Sequence, residues 1–232
     1  MMDHPIFIAL DFATADLARQ FLKKFEHAQP KPAIKIGMEL FYTTGPDFVR
    51  ELRQAGFTIF LDLKLYDIPN TVAQAVRTIT RLDVQYLTLH AMGGAKMLEA
   101  AVAAKQNSDL KLLAVTQLTS LTEVEMQSTQ STTLTMTQSV KHLAELAYQQ
   151  GIDGTISSAL EATPILQVTA PKFLRITPGI RLAGDSADDQ KRITTPSQAR
   201  ELAASGLVIG RSITKAQDPV TAYMRAKKEW SE

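Results

Sequence analysis

Three charged residues near the end of one apolar run have the types and spacing of a catalytic array. Asp62 and Lys64 stand two apart, and Asp67 follows three positions later. In a strand, residues two apart project from the same face. If that strand belongs to a barrel, the face is the interior, where Asp62 and Lys64 form a partly buried pair of opposite charges. Lys35, on a neighbouring apolar run, can join them. Buried charges must be paired, or they neutralise. The alternation Lys35–Asp62–Lys64, with Asp67 further along, is expected to keep Lys64 protonated despite burial. A held ammonium is suited to stabilising a developing carbanion and then protonating it. The competing reading is a salt-bridge network that only closes the top of a barrel. That explains the Asp-x-Lys pair but not the polar residues that end other apolar runs.

Those residues are Asp11, Thr119 with Ser120, Pro178-Gly179 followed by Arg181, and Gly210-Arg211. Arg181, Gly210 and Arg211 form a second group with its own chemistry. Glycine lets a backbone approach an anion closely, and a guanidinium grips phosphate oxygens in bidentate fashion. The segment Arg181–Thr195 is polar and nearly free of large apolar residues. It is too long for a minimal connection and reads as a lid, or as a surface loop with an incidental arginine.

Other polar residues take plainer readings. His90 ends an apolar run and is either an acid–base group or a packed, hydrogen-bonded histidine. His4, His27 and His142 lack metal-binding spacing, and there is no cysteine, so thiolate metal sites, disulfides and cysteine nucleophiles are excluded. Trp230 is expected to pack the last helix, and Arg225, Lys227 and Lys228 to form its solvated end. Gln127–Ser139 is mostly Ser, Thr and Gln. It reads as a polar loop or the solvated start of a helix, without a function.

Positioning these groups requires a scaffold. Eight short apolar runs recur: Ile6–Leu10, Ala33–Gly37, Phe57–Leu63, Tyr86–His90, Leu112–Gln117, Gly154–Ser158, Phe173–Thr177 and Leu207–Gly210. They barely alternate, as expected of parallel strands buried on both faces. Helical patterns separate them. Val140, Leu143, Ala144 and Ala147 share one face, Gly151 stops that helix, and Pro69 opens another. Spread over 232 residues, eight units average 29 residues each. The expectation is a (β/α)8 barrel formed as a single domain over residues 1–232, with the active site at the C-terminal ends of the strands. A doubly wound open sheet is the alternative, but no Gly-rich dinucleotide turn follows the first run. In such barrels the loops after strands 7 and 8 are the usual phosphate site.

Composition narrows the function classes. The net charge is +1, which argues against a nucleic-acid binder with a dominant basic surface. Hydrophobic residues make up 45% and charged residues 21%, ordinary for a soluble globular chain. No apolar run approaches the roughly 18 residues that span a membrane. The first residues lack the pattern of a signal peptide. A cytoplasmic enzyme, with neither membrane nor nucleic-acid partners, is expected.

The segment Asp62-Leu63-Lys64-Leu65-Tyr66-Asp67-Ile68-Pro69-Asn70-Thr71 resembles the D-x-K-x-x-D-I-P-x-T signature of the orotidine 5′-phosphate decarboxylase family. Ala9–Asp11, Lys35–Gly37, Val115–Ser120, Thr177–Arg181 and Gly210–Thr214 are similar to that family's segments in the same order, and Asp189–Arg192 also fits. The resemblance implies decarboxylation of orotidine 5′-monophosphate (OMP) to UMP and CO2 in pyrimidine synthesis. It implies a homodimer with sites at the subunit interface, and no metal or organic cofactor. By position, it implies that Lys64 donates a proton to C6 and that Asp62 lies beside the substrate carboxylate. Lys35 would complete the array and contact the ribose. Asp67 and Thr71 would reach the partner's site, Asp11 would bind ribose hydroxyls, and Thr119 would contact the pyrimidine. Arg181, Gln190, Gly210 and Arg211 would hold the phosphate, with Ile68 and Pro178 also among the substrate contacts.

Two rival classes share parts of this pattern. Related sugar-phosphate decarboxylases or aldolases use D-x-K-x-x-D with Mg2+, but place an acidic metal ligand at the end of strand 2, where this chain has Lys35. A non-catalytic nucleotide-binding barrel would show an eroded array, whereas Asp62, Lys64 and Asp67 are all present.

Overall fold

Each apolar run pairs in parallel with the next, and the eighth returns to the first. In the computed structural model, which describes residues 4–106, 108–183 and 193–231, the strands close into a barrel in the order β1 to β8. They are β1 Ile6–Ala9, β2 Ala33–Gly37, β3 Ile59–Leu65, β4 Tyr86–His90, β5 Lys111–Val115, β6 Gly154–Ile156, β7 Leu174–Thr177 and β8 Gly206–Ile209. The open-sheet alternative is set aside by the β1–β8 pairing, in which Phe7 opposes Val208.

Helices connect the strands on the outside: α1 Ala15–Lys23, α2 Met38–Gln54, α3 Pro69–Thr80, α4 Gly94–Ala104, α5 Glu123–Gln130, α6 Met136–Gln149, α7 Ala159–Val168 and α8 Pro196–Glu201. A one-turn α9 (Arg211–Thr214) follows β8, and α10 (Pro219–Ser231) ends the chain. No helix among the described residues is long and apolar enough to cross a membrane.

The strands read as unbroken apolar runs because both of their faces are buried. Ile8, Ile34, Ile36, Leu61 and Leu87 point outward to the helices. Phe7, Ala9, Phe60, Tyr86, Leu113, Ile176 and Val208 fill the barrel interior. There Phe7 meets Phe60 and Tyr86 edge to face at 5.1 and 4.9 Å. Such ring pairs are worth about 0.5–1.5 kcal/mol each beyond their area. Packed rings close the lower barrel interior, beneath the polar residues at the strands' C-terminal ends. At Gly154 a Cβ would lie within 2.8 Å of the Leu174 backbone, so only glycine lets β6 and β7 pair so closely.

Helix ends follow local chemistry. Thr122 and Thr135 cap α5 and α6 in reciprocal boxes with Glu125 and Gln138. Pro69 starts α3, and Gly151, at φ +79°, follows α6. Trp230 is buried on α10, its indole N–H donating to the His4 carbonyl.

Several strand boundaries differ from the sequence expectation. The third strand begins at Ile59 rather than Phe57, because the Phe57 N–H bonds Leu52 O and closes off α2. It also runs past Leu63 to Leu65, carrying Asp62 and Lys64 inside the strand. The fifth strand stops at Val115, short of Gln117, whose amide turns to Gln130 and Ser139. The Ser/Thr/Gln-rich stretch is the end of α5, a turn through left-handed Ser131, and the first turn of α6.

Candidate active site

Three strand ends bring Lys35, Asp62 and Lys64 together as expected, joined by Asp11 rather than by Asp67. Lys35 Nζ lies 3.2 Å from Asp11 Oδ1 and 3.5 Å from Asp62 Oδ2. Lys64 Nζ lies 2.9 Å from Asp62 Oδ1. Each oxygen of Asp62 therefore faces an ammonium. Burial pushes the Asp62 carboxyl up. The charges of Lys35 and Lys64, with hydrogen bonds from Lys64 and Thr88, outweigh that and hold it below the usual aspartate range. Lys35 is buried, Lys64 half-buried, and Asp11 exposed at the rim. Gly37 leaves room for the array, since a Cβ there would sit 3.2 Å from Lys35 Nζ.

Asp62 and Lys64 share a face, but not by simple strand alternation. Against β4 the register slips: Leu61 opposes Leu87, while Leu65 opposes Leu89. β3 thus carries two extra residues, a bulge that keeps parity while bending the strand. Within it Lys64 adopts φ +49°. That left-handed conformation costs about 1–2 kcal/mol for a residue with a Cβ, and such strain collects at functional sites.

Thr88, which the sequence reading passed over, sits against this bulge. Its hydroxyl accepts the Lys64 backbone N–H at 2.9 Å and donates to Asp62 Oδ1 at 2.9 Å. His90 lies two residues on along β4, its ring 5.5 Å from that of Tyr66. Burial lowers its pKa below the ordinary histidine value, the Lys64 charge lowers it further, and Asp62 opposes both. The result favours a neutral imidazole. The signal for Thr88 was present in the Thr-x-His spacing of this strand, the same period-2 rule applied to Asp62 and Lys64.

The second group opens into the same space. One cleft is lined by Asp11, Lys35, Pro178, Gly179, Arg181, Gly210 and Arg211, with Ala9 and Val208 beneath. Asp11 and Lys35 thus belong both to the ionic array and to the arginine-lined end. Gly179 takes φ +78°, turning the chain so that buried Arg181 faces the cleft it lines. At Gly210 a Cβ would fill the space beside Asp11 Oδ2, 3.7 Å away. Ile180 and Thr194 form a short parallel bridge, tying down one flank of the polar stretch read as a lid. Residues 184–192, Gln190 among them, lie outside the described residues.

The remaining expected residues are arranged differently. Thr119 is half-buried on the loop after β5. Beneath that loop, buried Gln117 exchanges two hydrogen bonds with Gln130, at 3.0 and 2.9 Å, and donates to Ser139. Asp67 and Ile68, on the β3–α3 turn, and Thr71, in the first turn of α3, are exposed and do not line this chain's cleft. The Asp67 carboxylate accepts the Ile68 N–H at 2.7 Å.

An eight-stranded barrel whose strand ends converge on a lysine–carboxylate array and an arginine-lined cleft is the architecture of a barrel enzyme. The chain belongs to the Orotidine 5′-phosphate decarboxylase / HUMPS family, whose model matches residues 4–226. It is 58% identical over 229 residues to an orotidine 5′-phosphate decarboxylase of Oenococcus oeni, covering 99% of this chain and all of that protein. A protein of the same name from Listeria monocytogenes is 48% identical over 235 residues, with 99% and 100% covered. The crystal structure of orotidine 5′-phosphate decarboxylase from Lactobacillus acidophilus superposes with a TM-score of 0.88. It shares 38% identity, with 99% and 100% of the two chains covered.

Proposed function

We propose that this chain is a carboxy-lyase that converts OMP to UMP and CO2, with Lys64 as the proton donor. The observation that carries this reading is the array in which Asp62 is clamped between Lys35 and Lys64, with Lys35 also lining a cleft that it shares with Arg181 and Arg211. Membership in the family and relatives bearing the decarboxylase name support it.

The chemistry follows from charge. The bond from C6 to the carboxylate breaks, CO2 leaves, and the electron pair stays at C6 in the ring plane, where the π-system cannot delocalise it. The Lys64 ammonium faces that developing charge and then transfers its proton to C6; the neutral amine regains a proton from water. Lys35 and Lys64 are balanced by Asp11 and Asp62, so the array carries no net charge before the substrate carboxylate arrives beside Lys64. Asp62 beside that carboxylate adds repulsion that disappears as CO2 departs. Two like charges about 4 Å apart repel by about 4 kcal/mol at an effective dielectric of about 20. Binding at Arg181, Gly210, Arg211 and Gln190 holds the phosphate and offsets that strain from a remote part of the substrate. Asp11 and Lys35 bind ribose hydroxyls, and Thr119 and Pro178 contact the base side.

We further propose a cytoplasmic homodimer of one catalytic domain per chain. Asp67, Ile68 and Thr71 are exposed, away from their own cleft, and apolar Met38, Tyr42, Tyr66 and Met92 are exposed at the same ends of β2, β3 and β4. A second copy covering this face would bring Asp67, Ile68 and Thr71 to its partner's site. A metal-dependent sugar-phosphate reaction is disfavoured by Lys35, whose ammonium stands where such enzymes need an acidic ligand.

The test is a spectrophotometric assay following loss of the orotate chromophore with OMP and EDTA. Turnover to UMP is expected. A folded protein that leaves OMP unchanged, yet acts on a sugar phosphate when Mg2+ is added, would refute the reading.

A further inference from the structure

Lys64 is held at both ends by one pair of groups. Its ammonium pairs with Asp62 Oδ1, and its backbone N–H donates to the Thr88 hydroxyl. That hydroxyl in turn donates to the same Asp62 oxygen. An ionised carboxylate only accepts, so the single O–H of Thr88 must point at Asp62, and its oxygen is left to accept from Lys64. The side chain of Thr88 is wholly buried.

The need for this arrangement comes from the bulge. Because β3 slips by two residues against β4, the N–H of left-handed Lys64 has no β4 carbonyl opposite it. A buried amide without a partner is costly. Thr88 supplies the partner from a side chain, while its own backbone pairs onward with Leu113 of β5. Serine or threonine at this place solves two problems with one oxygen.

Resting on the decarboxylase reading, we infer that Thr88 is a positioning residue for the reaction: its hydroxyl sets the backbone of Lys64 and the carboxylate of Asp62 against each other. It is not a catalytic residue, since it acts through those two groups. Thr88→Val keeps the shape and removes the hydroxyl, whereas Thr88→Ser keeps the hydroxyl and removes the methyl.

The experiment measures kcat and KM for OMP, UMP affinity by calorimetry, and the melting temperature for both variants. T88V is expected to lose at least about tenfold in kcat, because small displacements of reacting groups are costly. Its KM and UMP affinity should stay within about threefold, since the phosphate end is untouched. T88S should keep kcat within about threefold. Unchanged kcat in T88V overturns the inference. So does an equal loss in T88S, which would assign the role to the methyl group. Should T88V not fold, Thr88→Ser against Thr88→Ala isolates the same hydroxyl, and equal kcat in those two overturns it as well. Absence of turnover by the unaltered protein is seen before any substitution; it refutes the decarboxylase reading and this inference with it.

Discussion

Lys64 Nζ stands 2.9 Å from Asp62 Oδ1, joined to it across a backbone turned left-handed at Lys64. A regular strand would also set the two side chains on one face. The bulge does more, because it bends the lysine's own backbone into contact with Thr88 beside the carboxylate. The chain bears a conformational cost at the residue on which the proposed chemistry depends.

That cost separates two substitutions at one position. Lys64→Ala should abolish turnover while leaving the barrel folded and able to bind UMP. Alanine has the same Cβ, so the strain persists. Lys64→Gly should be equally inactive but more stable than K64A by about 1 kcal/mol, because glycine tolerates positive φ. Urea midpoints of the two variants measure the difference. Substantial turnover in either would end the proton-donor role, and K64G less stable than K64A would show that no strain is stored there.

Asp62 carries a pH signature. Its pKa is depressed in the folded protein, so it adds stability above the unfolded aspartate value, about 3.9. That stability is lost as pH falls through the lower, folded value. Asp62→Asn should therefore be less stable than the parent at pH 7, and the gap should close as the pH drops below about 4. Denaturant melts across that range check this. A gap independent of pH would mean that the carboxylate is not held ionised by Lys35 and Lys64.

Much of this was legible in the sequence because burial on both faces leaves an unmistakable apolar run, and because period-2 spacing assigns residues to a face. Eight strands, the helix start at Pro69, the helix face of Val140, Leu143, Ala144 and Ala147, and the meeting of Lys35, Asp62 and Lys64 follow from those two rules, whereas the pairing of Asp11 with Lys35 does not. The register slip of β3 does not, since it depends on which β4 residues lie opposite. The role of Thr88 does not follow either, for the same reason: period-2 spacing from His90 places it on the array's face, but what it does there depends on a neighbour's displaced N–H. The Ser/Thr/Gln-rich stretch looked functionless because its partner, Gln117, is ten or more residues away. The exposure of Asp67, Ile68 and Thr71, away from this chain's cleft, is not legible in their spacing; the proposed dimer would account for it.

The exposed Asp67 provides a test of subunit sharing. Asp67→Ala and Lys64→Ala should each be inactive alone. Unfolded together and refolded at equal amounts, half the dimers pair one variant with the other. Each such dimer has one site with both residues intact, so about a quarter of the parent activity should return. No recovery from a mixture shown to contain mixed dimers would place the contribution of Asp67 within its own chain.

Arg211 opens α9 and lines the cleft with Arg181, whereas Asp62 and Lys64 do not line it. If it grips phosphate, its contribution depends on the ligand's charge. Hydrogen bonds to charged groups are worth about 1.5–3 kcal/mol, which corresponds to about 10- to 150-fold in affinity. Arg211→Ala should weaken UMP binding by about that factor and leave uridine within about threefold. The same variant should lower kcat/KM for OMP, because lost phosphate binding can no longer offset strain at C6. Titration calorimetry with both ligands reads the difference directly. Equal losses for UMP and uridine would remove Arg211 from the phosphate site and leave Arg181 as its remaining described guanidinium.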